Sequence, residues 1–97
     1  MKERGILTDA SGTVRGEIYK EEWVIIGRAA SDGECVRMEH PAISKAHARI
    51  KAKNGFFLQD LDSKNGTFVN GIRLQHEERK RIFDGDILRF ACEEFQF

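Results

Sequence analysis

The sequence predicts an all-β domain, either a β-sandwich or a β-barrel. Turn signals are dense along the chain, and the segments between them are short and rich in β-branched and aromatic residues. Many short strands, separated by turns about every eight to twelve residues, are typical of these two architectures.

The turns are marked chiefly by glycines. Five of the nine glycines follow Asn or Asp, and such dipeptides favour turns with positive φ. These five dipeptides are Asp32-Gly33, Asn54-Gly55, Asn65-Gly66, Asn70-Gly71 and Asp84-Gly85. Ser11-Gly12 predicts a sixth turn.

Three candidate strands precede the middle of the chain. Residues 13–20 alternate, which predicts that Val14 and Ile18 share one face. Residues 23–26 form a continuous apolar run, as expected of a strand covered on both faces. Residues 47–53 alternate strictly. Their small and apolar members, Ala48, Ile50 and Ala52, lie opposite His47, Arg49, Lys51 and Lys53.

Further strands follow in the second half. The Asn54-Gly55 turn leads into residues 56–59, and residues 67–69 end at another Asn-Gly turn. Residues 86–90 and 94–97 are predicted to form the closing pair. We expect no helix, because residues 74–82 are the only helix-friendly segment and they lack an apolar face.

Length and charge narrow the class of protein. The 97 residues predict a single domain over residues 1–97. Lys plus Arg number 16, and so do Asp plus Glu, whereas nucleic-acid and membrane binders usually carry a basic excess. We therefore expect neither kind of partner. No apolar run reaches the roughly 18 residues of a membrane helix, and the start does not resemble a secretory signal.

The two cysteines, Cys35 and Cys92, have no CxxC or metal-type spacing. They favour two reduced thiols in a cytoplasmic protein, although the sequence leaves a disulfide between them open. Nothing in the sequence suggests a metal or a cofactor.

Three polar clusters lie at predicted strand ends or turns, which is where binding residues usually sit. They are Gly27-Arg28, residues 44–47 and residues 60–71. The guanidinium of Arg28 offers a forked set of donors that matches phosphate, and the Ser44 hydroxyl is a neutral donor. The remaining candidates are two point charges, Lys45 and Lys64, and Asn65, whose amide can donate and accept at once.

These clusters, in this order and spacing, resemble the forkhead-associated (FHA) domain family. Its pattern is Gly-Arg, then Ser-x-x-His, then Asp-Leu-x-Ser-x-Asn-Gly-Thr-x-Val-Asn-Gly. Here the three motifs are Gly27-Arg28, residues 44–47 and residues 60–71. Residues 84–90 resemble the Asp-Gly-Asp strand near the end of the family's domain, and the resemblance covers about Gly5 to Phe97.

The resemblance implies an eleven-stranded β-sandwich whose loops at one end bind a phosphothreonine peptide. It implies that Arg28 and Ser44 contact the phosphate, that Lys45 and Lys64 lie close to it, and that Asn65 bonds the peptide backbone. Position 45 is more often Arg in the family, and Lys lacks the bidentate fork. The resemblance assigns structural roles in the loops to Gly27, His47, Gly66, Thr67, Asn70 and Gly71.

Two alternatives to this function are considered. The same fold could serve as a scaffold that binds its partner without phosphate. A hydrolase triad of Ser44, His47 and Asp60 is disfavoured, because neither a nucleophile elbow nor an oxyanion hole is visible. We therefore expect a binding module rather than an enzyme, acting in signalling on a phosphothreonine-containing protein such as a protein-kinase substrate.

Overall fold

A computed structural model describes residues 4–28 and 35–97. These residues form eleven strands in two sheets and contain no helix, so the predicted all-β sandwich is confirmed. The predicted Asp32-Gly33 turn lies outside the described residues. The strands are β1 (Gly5–Asp9), β2 (Val14–Ile18), β3 (Val24–Gly27), β4 (Cys35–Arg37), β5 (Ala48–Ala52), β6 (Phe56–Asp60), β7 (Thr67–Val69), β8 (Ile72–Arg73), β9 (Lys80–Ile82), β10 (Ile87–Phe90) and β11 (Glu93–Gln96).

One sheet has six strands in the order β2-β1-β11-β10-β7-β8, and the other has five in the order β4-β3-β5-β6-β9. Strands β3 and β4 pair in parallel, whereas the other registered pairs are antiparallel. The predicted closing pair is β10 and β11, with Leu88 opposite Phe95.

The core lies between the inner faces of the two sheets. Strand β5 alternates between buried and half-buried residues, as predicted, and buries Ala48, Ile50 and Ala52. Each large apolar side chain fully removed from water contributes about 1.5–3 kcal/mol. The fully buried set includes Leu7, Ile18, Ile26, Ile43, Ile50, Leu58, Ile82, Leu88 and Phe90.

The prediction that Val14 shares the buried face of Ile18 is wrong, because Val14 is 57% exposed. Leu7 lies opposite Gly16 while Thr8 lies opposite Val14, so β2 contains one extra residue at this point. Such a β-bulge reverses the alternation of side chains beyond it. Val14 consequently shares the outward face of Thr8.

The apolar run 23–26 is not covered on both faces by packed layers. Val24 and Ile26 are buried in the core, whereas Trp23 and Ile25 are half-buried on the outer face. The Trp23 ring is covered by cationic side chains instead of a second apolar layer. Phe83 is 58% exposed, unlike the buried Phe90 and Phe95.

Two further expectations concern the thiols and the membrane. Cys92 is exposed and free, so it forms no disulfide. Its sulfur lies 3.4 Å from Nε2 of His40. Within the described part of the chain, no helix is long and apolar enough to cross a membrane.

Candidate functional site

Ser44, in the second polar cluster, connects that cluster to the other two. Its hydroxyl oxygen accepts a hydrogen bond from the backbone N–H of Lys64 over 3.1 Å. Its carbonyl oxygen accepts one from the backbone N–H of Arg28, also over 3.1 Å. Residues 28, 44 and 64, which are far apart in sequence, therefore meet at one end of the sandwich. Among the described residues no group accepts from this hydroxyl, so its own hydrogen is left to donate to a ligand.

Arg28 is held by its Nε atom, which donates to the carbonyl of Ile43 over 2.9 Å. A guanidinium has five N–H donors, and this bond uses one of them. Among the described residues the two Nη groups have no acceptor, and they form the fork that matches the oxygens of a phosphate. Arg28 is exposed at the surface, where such a group can reach it.

Gly27 allows β3 to approach the 44–47 loop closely. A Cβ atom at this position would lie 2.1 Å from the carbonyl oxygen of Lys45 and 2.8 Å from its carbonyl carbon. Any side chain would therefore push the loop backbone away. The absence of one brings Arg28, next in sequence, within hydrogen-bonding distance of Ser44.

His47 is fully buried and ties the two loops together from beneath. The Ser44 N–H donates to its Nδ1 atom over 3.1 Å, so Nδ1 is the acceptor nitrogen. Nε2 must then carry the proton, and it donates to the carbonyl of Gly66 over 2.8 Å. Both ring nitrogens are thus occupied by the backbone.

The carboxylate of Asp60 is the centre of the hydrogen bonds in the third cluster, residues 60–71. Asp60 accepts hydrogen bonds from the hydroxyls of Ser63 and Thr67, the latter over 2.6 Å. The Ser63 oxygen in turn accepts from the N–H of Gly66, where φ is +87°. This network fixes the turn that presents Lys64 and Asn65 to solvent.

Asn65 connects the third cluster to the segment before Ser44. Its Nδ2 atom donates to the carbonyl of Ala42 over 2.7 Å. This bond holds the side-chain amide in one orientation, and no other described residue occupies its Oδ1 acceptor or its second N–H. An amide presented in this way can bond both the N–H and the C=O of an extended peptide.

Three cationic residues, Arg28, Lys45 and Lys64, belong to the backbone segments that meet at this junction. All three are exposed. Among residues 4–28 and 35–97, no carboxylate forms an ion pair with any of them. A group of cations without internal counter-charges, beside an oriented hydroxyl, is suited to binding an anion.

Asn70 and Gly71 do not belong to this junction. They form the β7–β8 turn, with φ of 51° and 83°. The Asn70 side chain donates to Asp86 and accepts from the N–H of Ile87, which fastens the turn to the start of β10. Their part in the structure is to hold a hairpin.

The family model of the FHA domain matches residues 24–91. The chain belongs to the FHA domain family. FHA domains are interaction modules. The matched span contains all three polar clusters.

Two curated relatives carry the same domain within much longer proteins. Kanadaptin of Homo sapiens is 29% identical over 94 residues, which cover 82% of this chain and 12% of kanadaptin. The FHA domain-containing protein At4g14490 of Arabidopsis thaliana is 33% identical over 67 residues, covering 68% of this chain and 17% of that protein. The chain thus spans less than a fifth of either relative.

Solved structures share the fold across nearly the whole chain. One, from a structural and functional analysis of phosphothreonine-dependent FHA domain interactions, is 29% identical with a TM-score of 0.78, covering 99% of this chain and 94% of that one. The FhaA FHA domain, complexed with the intracellular domain of Rv3910, is 30% identical with a TM-score of 0.75 and 96% coverage of both chains. Mycobacterium tuberculosis EmbR, in complex with a low affinity phosphopeptide, is 26% identical with a TM-score of 0.79, covering 95% of this chain and 23% of EmbR.

This FHA domain does not assemble the triad considered from its sequence. His47 contacts the backbone N–H of Ser44, and neither of its ring nitrogens bonds the Ser44 hydroxyl. Asp60 bonds Ser63 and Thr67 instead of orienting the histidine. A triad needs its base bonded to both the nucleophile and the carboxylate.

The sequence did not predict the part played by residues 40–43. This segment supplies the carbonyls that orient Arg28 and Asn65, and it is braced by a hydrogen bond from the Ala42 N–H to His40 over 3.0 Å. Carbonyl groups are common to every residue, so no pattern of side chains marks them in a sequence. Pro41, which predicts a loop here, is the only available signal.

Proposed function

We propose that this FHA domain binds proteins and peptides that carry a phosphothreonine, and that Arg28, Ser44, Lys45, Lys64 and Asn65 form the binding site. The observation that carries the proposal is the bond from the Lys64 N–H to the Ser44 hydroxyl. It fixes the position of a hydroxyl donor at a junction that also carries Arg28, Lys45 and Lys64, three cations that lack carboxylate partners among the described residues.

Charge and geometry both favour phosphate over a carboxylate as the ligand. A phosphorylated side chain has three strong acceptor oxygens and a charge of about −1.5 to −2 near neutral pH. The Nη groups of Arg28 would bond two oxygens, the Ser44 hydroxyl would bond another, and the two lysines would balance the charge. Because the loops are already held in place, little conformational entropy would be lost on binding.

In this proposal Asn65 makes the site select a peptide rather than free phosphate. Its amide, oriented by Ala42, would bond the main chain of an extended ligand beside the phosphothreonine. Similar proteins support the ligand class. One structure comes from an analysis of phosphothreonine-dependent FHA domain interactions, and EmbR was solved in complex with a phosphopeptide.

We also propose that the site holds its ligand without altering it. Ser44 has no adjacent base, since His47 is buried with both ring nitrogens bonded to the backbone. The site would therefore act in signalling as a reader of phosphorylation, for instance on a protein-kinase substrate. The free, exposed thiol of Cys92 supports an intracellular location, because such thiols persist in reducing compartments.

The decisive experiment is a titration with one peptide sequence in phosphothreonine, phosphoserine and unphosphorylated forms. The sequence would be taken from a degenerate phosphothreonine library screened first. We expect binding to the phosphothreonine form and a loss of about 2–5 kcal/mol in Arg28→Ala, the range for truncating one partner of a desolvated charge pair. Arg15→Ala is the matched control, because Arg15 is exposed on the other sheet.

Each result has a clear meaning. Selective binding that is lost in Arg28→Ala and retained in Arg15→Ala supports the assigned site. Equal binding of the phosphorylated and unphosphorylated forms would instead indicate the phosphate-independent scaffold. Recovery of a dephosphorylated or cleaved peptide, detected by mass, would contradict the proposal that the site only binds.

A further inference from the structure

The outer face of the five-stranded sheet has a strongly uneven distribution of charge. Residues that alternate with the buried positions of β3, β5, β6 and β9 point away from the core. These outward residues are Ile25, Arg49, Lys51, Phe57, Gln59 and Arg81. Three are cationic and none is acidic, although the whole chain has as many acidic as basic residues.

Trp23 lies at the centre of this charge. Its ring has the guanidinium carbon of Arg49 at 4.2 Å, Nζ of Lys51 at 4.6 Å and the guanidinium carbon of Arg79 at 6.0 Å from the centroid. The ring's negative faces attract the cations and hold them in defined positions. Arg49 is fixed further by its Nε atom, which donates to Gln59 over 2.7 Å.

The positive charges near Trp23 repel one another, and no described carboxylate pairs with them. In the parts of the chain that the structure describes, Arg49, Lys51, Arg79 and Arg81 form no ion pair with a carboxylate. We call these four residues and Trp23 the cationic face. An arrangement that costs repulsion in the free protein is relieved when an anionic partner binds.

We propose that the cationic face binds an acidic peptide segment, rich in Asp and Glu, of a partner protein. Outward side chains repeat about every 6.4–6.8 Å along a strand, and same-side carboxylates of an extended peptide have the same spacing. The stacked guanidinium of Arg49 is already ordered, so less rotamer entropy is lost when it bonds a carboxylate. This binding needs no phosphate and is independent of the Ser44 site.

Two features favour an acidic peptide over nucleic acid. Bases of a single strand stack on open aromatic faces, whereas the Trp23 ring is already covered by Arg49 and Lys51. A long polyanion would also approach the rest of the domain, where acidic residues outnumber basic ones, because the formal net charge of the whole chain is +0. A short acidic segment can engage the cationic face alone.

Trp23 is the only tryptophan of the chain, so its fluorescence reports directly on this face. The domain is titrated with an unphosphorylated twelve-residue peptide of Glu, Asp and Gly at low salt, and with a single-stranded DNA oligonucleotide of equal charge. We expect the peptide to change the Trp23 emission and to bind more tightly than the DNA. The double variant Lys51→Gln, Arg79→Gln should bind it about tenfold more weakly, since each exposed ion pair contributes up to roughly 1 kcal/mol.

Two controls separate this face from the phosphate site. Arg15→Gln removes one charge from the other sheet and should leave acidic-peptide binding unchanged. Arg28→Ala should also leave it unchanged, whereas the double variant should retain its phosphothreonine-peptide affinity, which also establishes that it is folded. The proposal is overturned if the acidic peptide does not bind, if DNA binds more tightly, or if Arg15→Gln weakens binding as much as the double variant.

Discussion

The backbone N–H of Lys64 donates to the hydroxyl oxygen of Ser44 over 3.1 Å. The bond joins two loops separated by twenty residues in sequence, and the serine hydroxyl keeps its own hydrogen as a donor. A neutral hydroxyl is useful beside the three cations, because its hydrogen bond is directional. The cations supply the electrostatic attraction for an anion.

The first prediction concerns this hydroxyl. We expect Ser44→Ala to weaken phosphothreonine-peptide binding by about 1.5–3 kcal/mol, the range for a hydrogen bond to a charged group. Isothermal titration measures the change. Thr8→Ala, on the outward face of the other sheet, is the control and should bind normally. Equal affinities for the two variants would remove Ser44 from the site.

The second prediction concerns the close approach at Gly27. The Cβ of Gly27→Ala would lie 2.1 Å from the Lys45 carbonyl oxygen, so backbone must move. We expect the free energy of unfolding, from urea denaturation, to fall by about 1–3 kcal/mol, together with a loss of peptide affinity.

The control for this steric effect is Gly12→Ala. Gly12 has a φ of +86° and open space around its Cβ position, so alanine there adds backbone strain without a clash. Stability should fall by about 1–2 kcal/mol while peptide affinity is retained. A normal affinity in Gly27→Ala would show that the approach of β3 to the 44–47 loop does not matter for binding.

The third prediction concerns the buried imidazole. His47→Leu keeps an apolar volume but leaves the Ser44 N–H without its acceptor, whereas the Gly66 carbonyl still accepts from Ala91. We expect the free energy of unfolding to fall by about 1–3 kcal/mol, the cost of one buried unsatisfied donor. His76→Leu, at an exposed histidine, should change it by about 0.5 kcal/mol or less. Similar values for both variants would contradict the role given to His47.

The fourth prediction concerns stability in acid. Hydrogen bonds from the Ser11 hydroxyl, then from the Thr13 N–H, lower the pKa of Asp9 below its usual value of 3.8. Because the folded-state pKa is depressed, Asp9 stabilises the fold above the unfolded-state value, and this contribution is lost as pH falls through the folded-state value. Asp9→Asn should therefore lower the urea midpoint more at pH 7 than at pH 2. An equal effect at both pH values would exclude this linkage.

The fifth prediction concerns the ionisation of the ligand. The second pKa of a phosphorylated residue is near 6, so only about a tenth of it is dianionic at pH 5. If the site selects the dianion, affinity should fall by about tenfold between pH 8 and pH 5. The variant His76→Gln should show the same profile, since the titrating group belongs to the peptide. A flat profile in the parent domain would argue against recognition of the dianion.

Residue patterns alone were enough to predict the fold class and the composition of the candidate site. Asn-Gly dipeptides dictate left-handed turns because these residues tolerate positive φ, as at Asn54 with a φ of 55°. Strict alternation in β5 dictates which face is buried. The order and spacing of the three polar motifs were enough to predict the family, because together they resemble the motifs of the FHA domain.

How the strands and the three polar motifs contact one another depends on the tertiary fold. The bulge that turns Val14 outward comes from a register shift between β1 and β2, and no local pattern encodes a register. Arg49 and Arg79 lie near the Trp23 ring although all three residues are distant in sequence. The Ser44 hydroxyl is bonded by the backbone N–H of Lys64, and the His47 ring by the backbone N–H of Ser44. Almost every residue has such an N–H, so the sequence does not show which one will lie beside these side chains. The fold brings them together.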